Sequence, residues 1–189
     1  GFRHFDVAPS YGHGINEREL GLFLRSHRSA CLVATKFGMR VSPLVDHLAA
    51  YSTRAARGAL GARSLARRIF ATDEHIKALT PARLEQAVSR SLKRLKVEHI
   101  DLHFIHEPAP GSAAAIRTLL PAYRKMQQSG MIGLIGLSGD FKTCSALWKE
   151  LNEPDLILQT PEAEWTEDCP PDITYGALAR TGQSFFEQG

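Results

Sequence analysis

Phe5-Asp6-Val7-Ala8-Pro9-Ser10-Tyr11-Gly12 sets a carboxylate and a phenol five residues apart at the end of a strand-like run. Two further stretches repeat the arrangement. Ala34-Thr35-Lys36-Phe37-Gly38 and Asp101-Leu102-His103-Phe104-Ile105-His106-Glu107-Pro108 each place an ionisable residue at the C-terminal end of another apolar run. Asp6, Tyr11, Lys36 and His106 are together a complete set of groups for moving one proton onto a carbonyl oxygen. All of them fall just after a strand and before a helix, and that shared position bears on the fold.

Strand-like and helix-like segments alternate outward from these stretches. Residues 2–7, 31–35, 100–105, 131–137 and 156–159 read as strands with continuous apolar character. Between them, Asn16 and Glu19 have the spacing of a capping box opening a helix whose buried face is Leu20, Phe23 and Leu24. Thr80-Pro81 opens a second helix with a capping hydroxyl and a first-turn proline. Its stripe is Leu84, Ala87, Val88, Ser91, Leu92 and Leu95. Ile116, Leu119, Leu120 and Tyr123 mark a third helix, and Cys144, Leu147, Trp148 and Leu151 a fourth. This alternation predicts an α/β protein with a parallel sheet, closed as a (β/α)8 barrel or open and doubly wound. A doubly wound dinucleotide fold concentrates its signal in one glycine-rich turn, and Gly12-His13-Gly14 lacks the third glycine. Chemistry spread over the C-terminal ends of several strands is the barrel pattern.

The 189 residues suit one domain, with 43% apolar and 23% charged residues, as in soluble globular chains. The net charge of +3 gives no sign of a nucleic-acid partner, and no apolar run is long enough for a membrane helix. Cys31, Cys144 and Cys169 lack metal-ligand spacing and suggest a reduced, cytoplasmic protein. Residues 40–79 read as a loop insertion after a strand. Arg54, Arg57, Arg63, Arg67 and Arg68 there make either a solvated surface or a basic flap over an anionic ligand.

Phe-Asp-x-Ala-x-x-Tyr-Gly, Thr-Lys-Phe-Gly, Asp-Leu-x-x-Ile-His-x-Pro, Ile135-Gly136-Leu137-Ser138 and the later Gln159, in this order, resemble the aldo-keto reductase superfamily. The resemblance runs over about residues 2–160. It implies a (β/α)8 TIM barrel, here incomplete at both ends, without its first strand and without the C-terminal loop that grips the cofactor phosphate. It implies oxidoreduction of a small carbonyl or sugar substrate with NADP(H), or alternatively NAD(H). Tyr11 is then the proton donor, Lys36 lowers the pKa of the phenol, Asp6 orients Lys36, and His106 hydrogen-bonds the substrate oxygen. Ser138, Gln159, Tyr175 and Asp6 are the implied cofactor contacts, with Gly139 standing where the family has Asn. Glu107 takes a pocket position that is aromatic in many members, which suits a polyhydroxylated or cationic substrate.

His103, three residues before His106, lies on the opposite side of its strand and is expected to pack. The Tyr-Gly-x-Gly-x-x-Glu-Arg run from Tyr11 to Arg18 also resembles aldose dehydrogenases, which makes sugar oxidation an alternative to carbonyl reduction. A non-catalytic nicotinamide-binding regulatory subunit and an inactive remnant are the competing readings.

Overall fold

The structure is a computed structural model and describes residues 3–39, 76 and 79–176. The insertion expected at 40–79, with its arginines, lies outside the described residues except for Ile76 and Leu79.

Six strands form one parallel sheet: β1 (His4–Asp6), β2 (Leu32–Phe37), β3 (Ile100–His106), β4 (Ile132–Ser138), β5 (Leu156–Pro161) and β6 (Ile173–Tyr175). Their order in space is their order in the chain. A doubly wound sheet reverses its order at a switch point, and this one does not. The sheet also curls. In a flat sheet β2 and β5 would stand roughly 14 Å apart, yet the Lys36 ammonium of β2 donates to Gln159 Oε1 of β5 at 2.8 Å. Sequential order, parallel pairing and inward curl make this part of a (β/α)8 barrel, as the sequence predicts.

The helices are α1 (Ile15–His27), α2 (Pro81–Leu95), α3 (Ala113–Gln128) and α4 (Phe141–Leu151). They cover the outer face of the sheet. Val33, Ile105, Ile135, Leu137 and Leu158 point outward into one large core with Leu84, Val88, Ile116, Leu119 and Leu147. Ala34, Leu102 and Phe104 point inward and make a smaller cluster with Ile157 and Ile173. Helix α2 begins as predicted, with Thr80 Oγ1 accepting from the Arg83 amide at 3.4 Å. Asp140 caps α4 in the same way, accepting from the Thr143 amide at 2.9 Å. The chain between β5 and β6 contains no helix and closes on a Thr166–Cys169 bridge.

Two expectations about α1 are corrected. Its cap is Gly14, at φ 81°, so Asn16 already lies inside the first turn and forms no capping box with Glu19. The buried stripe is Glu17, Leu20, Gly21 and Leu24 rather than one through Phe23. Starting the 3,4 spacing at Glu17 turns Phe23 outward, where it stacks on His27 at 4.2 Å between ring centres.

Candidate functional site

Alternation along the strands carries most of the candidate residues to one place. Counting back from each strand's C-terminal end, Asp6, Lys36, His106, Ser138, Gln159 and Tyr175 share the inward parity of Ala34, Phe104 and Ile157. Register aligns them further: His106 sits beside Ser138, and Ser138 beside Gln159. Six strands therefore deliver six polar side chains to one rim of the curled sheet.

Lys36 is the hub. Its side chain is 3% exposed, and Nζ donates to Asp6 Oδ1 at 2.6 Å, Asp6 Oδ2 at 2.7 Å and Gln159 Oε1 at 2.8 Å. An ammonium has three protons, so these bonds satisfy it. Gln159 Nε2 closes the loop by donating to Asp6 Oδ2 at 3.1 Å. The Phe104 ring lies 5.2 Å from the ammonium. Burial lowers the Lys36 pKa, while Asp6 pushes it back up.

Tyr11 follows β1 in a 3-10 turn (Tyr11–Gly14) and is 38% exposed. Its ring stands edge-on to His106, with centres 5.8 Å apart and planes at 84°. The sequence reading expected Lys36 to lower the phenol's pKa, and the structure reverses that direction. Burial raises it, followed by the charges of Asp6 and Glu107. The physical reason is burial first, with two carboxylates facing the phenol, while the Lys36 protons go to Asp6 and Gln159. Sequence alone did not reveal that Gln159 joins this group, because 123 residues separate it from Lys36.

Glu107 leaves the strand in a left-handed conformation (φ 49°), its amide donating to Ser138 O at 2.7 Å. Its carboxylate fills the space beside Gly139: a Cβ there would lie 3.3 Å from Glu107 Oε2 and 3.3 Å from Cys144 Sγ. Tyr175 ends β6 at the same rim, and its pKa is raised by burial and by Glu107. His103, on the outer face, is fully buried and bonds Tyr123 through Nδ1 at 3.0 Å. Burial depresses its pKa to about 3, so it packs as a neutral ring.

Fold and rim together define part of a (β/α) barrel with Asp6, Tyr11, Lys36, His106 and Gln159 gathered at the C-terminal ends of its strands. Residues 1–153 match the aldo/keto reductase family. The chain belongs to that family. It is 28% identical over 160 residues to a D-threo-aldose 1-dehydrogenase of Pseudomonas sp, covering 84% of this chain and 45% of that one. It is 31% identical over 133 residues to a methylglyoxal reductase of Salmonella typhimurium, covering 69% and 47%. Among solved structures, an aldo-keto reductase from Klebsiella pneumoniae in complex with NADPH superimposes with a TM-score of 0.62 at 19% identity, covering 97% of this chain and 55% of that one. The chain spans about half the length of the curated relatives it matches.

Proposed function

We propose that this chain is the catalytic part of an NAD(P)(H)-dependent oxidoreductase that interconverts small aldehydes or ketones with alcohols. The observation that carries the reading is the Lys36 ammonium held by Asp6 and Gln159 at the rim where Tyr11 and His106 meet. The cofactor reading is supported by the NADPH of the Klebsiella pneumoniae neighbour and by the residues available to it. Ser138, Gln159 and Tyr175 stand on three successive strands, two hydrogen-bonding side chains and one half-exposed ring, a set that fits a flat ring bearing a carboxamide. When bound, the nicotinamide supplies the hydride.

The chain's own residues handle the proton. Tyr11 is the donor to the carbonyl oxygen, and its raised pKa keeps the hydroxyl loaded at neutral pH. His106 donates a second hydrogen bond to that oxygen and sets its angle. The bonds from Asp6 and Gln159 fix the Lys36 ammonium at the same rim, so that it need not reorganise as negative charge grows on oxygen.

A second reading, oxidation of an aldose at its anomeric carbon, is favoured by the likeness to the D-threo-aldose 1-dehydrogenase and by the Glu107 carboxylate at the rim. Oxidation requires the phenolate, so the same raised pKa moves that direction to alkaline pH.

The test is Tyr11→Phe in the full-length protein. Carbonyl reduction, followed as loss of NADPH absorbance, should fall by roughly 10²–10⁴-fold, the range of a lost general acid. NADPH affinity, read from its fluorescence, should stay within a few-fold. Undiminished turnover would remove Tyr11 as the donor, and nucleotide binding with no turnover in the unmutated protein would favour a regulatory subunit.

A further inference from the structure

Glu17 is the one fully buried carboxylate among the described residues, and the proton-transfer scheme does not use it. It lies in the first turn of α1, on the outer side of the sheet. Both oxygens are engaged: Oε1 accepts from Thr35 Oγ1 at 2.8 Å, and Oε2 accepts from Arg94 Nη1 of α2 at 3.0 Å. Removing a charge from water is costly unless partners satisfy it from both sides, and here they do.

Each partner leads to a different part of the rim. Thr35 is the residue before Lys36 on β2. Alternation turns Thr35 outward to Glu17 and Lys36 inward to Asp6, so the same stretch of backbone carries both. The Arg94 guanidinium packs beneath Gly14, the last residue of the turn that holds Tyr11. A Cβ at Gly14 would lie 2.8 Å from Arg94 Cζ, and its φ of 81° is one that glycine adopts without strain. Helices α1 and α2 also approach closely, since a Cβ at Gly21 would meet Arg94 O at 2.5 Å. The turn bearing the phenol and the strand bearing the ammonium are therefore joined to one buried charge.

We propose that Glu17 is a positioning residue that sets Tyr11 relative to Lys36 and Asp6 through Thr35 and Arg94. The inference rests on the reading of Tyr11 as proton donor, and a displacement of about 1 Å at such a group costs on the order of 10²-fold in rate. A purely structural Glu17 would support folding without governing the phenol.

The experiment compares Thr35→Val and Thr35→Ser with the unmutated full-length protein, with Tyr11→Phe as the spectroscopic blank. Two quantities are read on folded protein: kcat for an uncharged aldehyde, with NADPH affinity alongside, and the ionisation of Tyr11 from phenolate absorbance. Removal of the hydroxyl in Thr35→Val should lower kcat about 10–100-fold. NADPH affinity should hold within about twofold, and the Tyr11 titration should move, because the phenol faces Asp6, Glu107, His106 and Tyr175. Thr35→Ser, which keeps the donor, should restore both. An unchanged kcat and phenol titration in folded Thr35→Val would overturn the proposal, as would equal losses in the valine and serine variants. If the unmutated protein shows no turnover, the donor reading falls, while the phenol titration still decides whether Glu17 governs Tyr11.

Discussion

The two rims of the sheet each carry an aspartate paired with a cation, and the pairs are built differently. At the N-terminal rim, Asp101 Oδ2 accepts from the Val33 amide at 2.8 Å and from Arg28 at 2.8 Å. Arg28 also donates to the carbonyls of Cys31 and His99, each at 2.9 Å. Apart from the pair itself, these bonds go to main chain on neighbouring segments. At the C-terminal rim, Lys36 bonds only side chains, and they come from β1 and β5. A pair tied to backbone fastens strand ends together, whereas a pair tied to other side chains fixes the position of a charge. The partly exposed Arg28–Asp101 pair fastens the fold, and the buried Lys36 group stands at the end where barrels carry their active sites.

The largest expected effect lies at Lys36. Lys36→Met should reduce carbonyl turnover by about 10²–10⁴-fold, the scale of a lost proton-transfer group, with the protein still folded by near-ultraviolet circular dichroism. A variant with near-normal kcat would erase the distinction between the rims.

His103 should be next, and on stability alone. Its folded pKa of about 3 lies below the ordinary 6.5. The unfolded chain thus binds a proton that the folded one refuses, and stability is intact above pH 6.5 and lost as pH falls toward 3. The loss is roughly 1.4 kcal/mol per pH unit from this residue. Urea titrations from pH 7 to 5 should show a smaller decline in His103→Asn than in the unmutated protein. Equal declines would mean that the ring is not buried and neutral.

Asp101→Asn should cost about 1 kcal/mol, as for a partly exposed pair, visible as a lower Tm with kcat unchanged. A fall in kcat here would show that the N-terminal rim reaches the chemistry. Glu107→Gln should have the smallest effect. Removing one of the charges that raise the Tyr11 pKa should shift the alkaline onset of alcohol oxidation to lower pH. A shift to higher pH would contradict the placement of that carboxylate.

Strand alternation and the positions of Asp6, Lys36 and His106 were legible because period-2 patterning and strand ends are local properties. The same local rule placed His103 on the outer face. Other features depended on contacts between distant segments. Gln159 joins Lys36 only because the sheet curls, and the direction of the Tyr11 pKa is set by burial and by Asp6 and Glu107, which come from the ends of different strands. Glu17 was passed over because its value comes from Thr35 and Arg94, 18 and 77 residues away. The start of α1 was misread for a local reason: an asparagine with a glutamate three residues on looks like a cap, but the adjacent left-handed glycine starts the helix first.

Gly139 and Glu107 also constrain how this sequence can change over generations. A Cβ at 139 would meet Glu107 Cα at 3.2 Å and both Glu107 Oε2 and Cys144 Sγ at 3.3 Å, so these neighbours must give by a few tenths of an ångström to admit a side chain. A substitution at 139 should therefore travel with adjustment at 107 or 144, the two positions that crowd it.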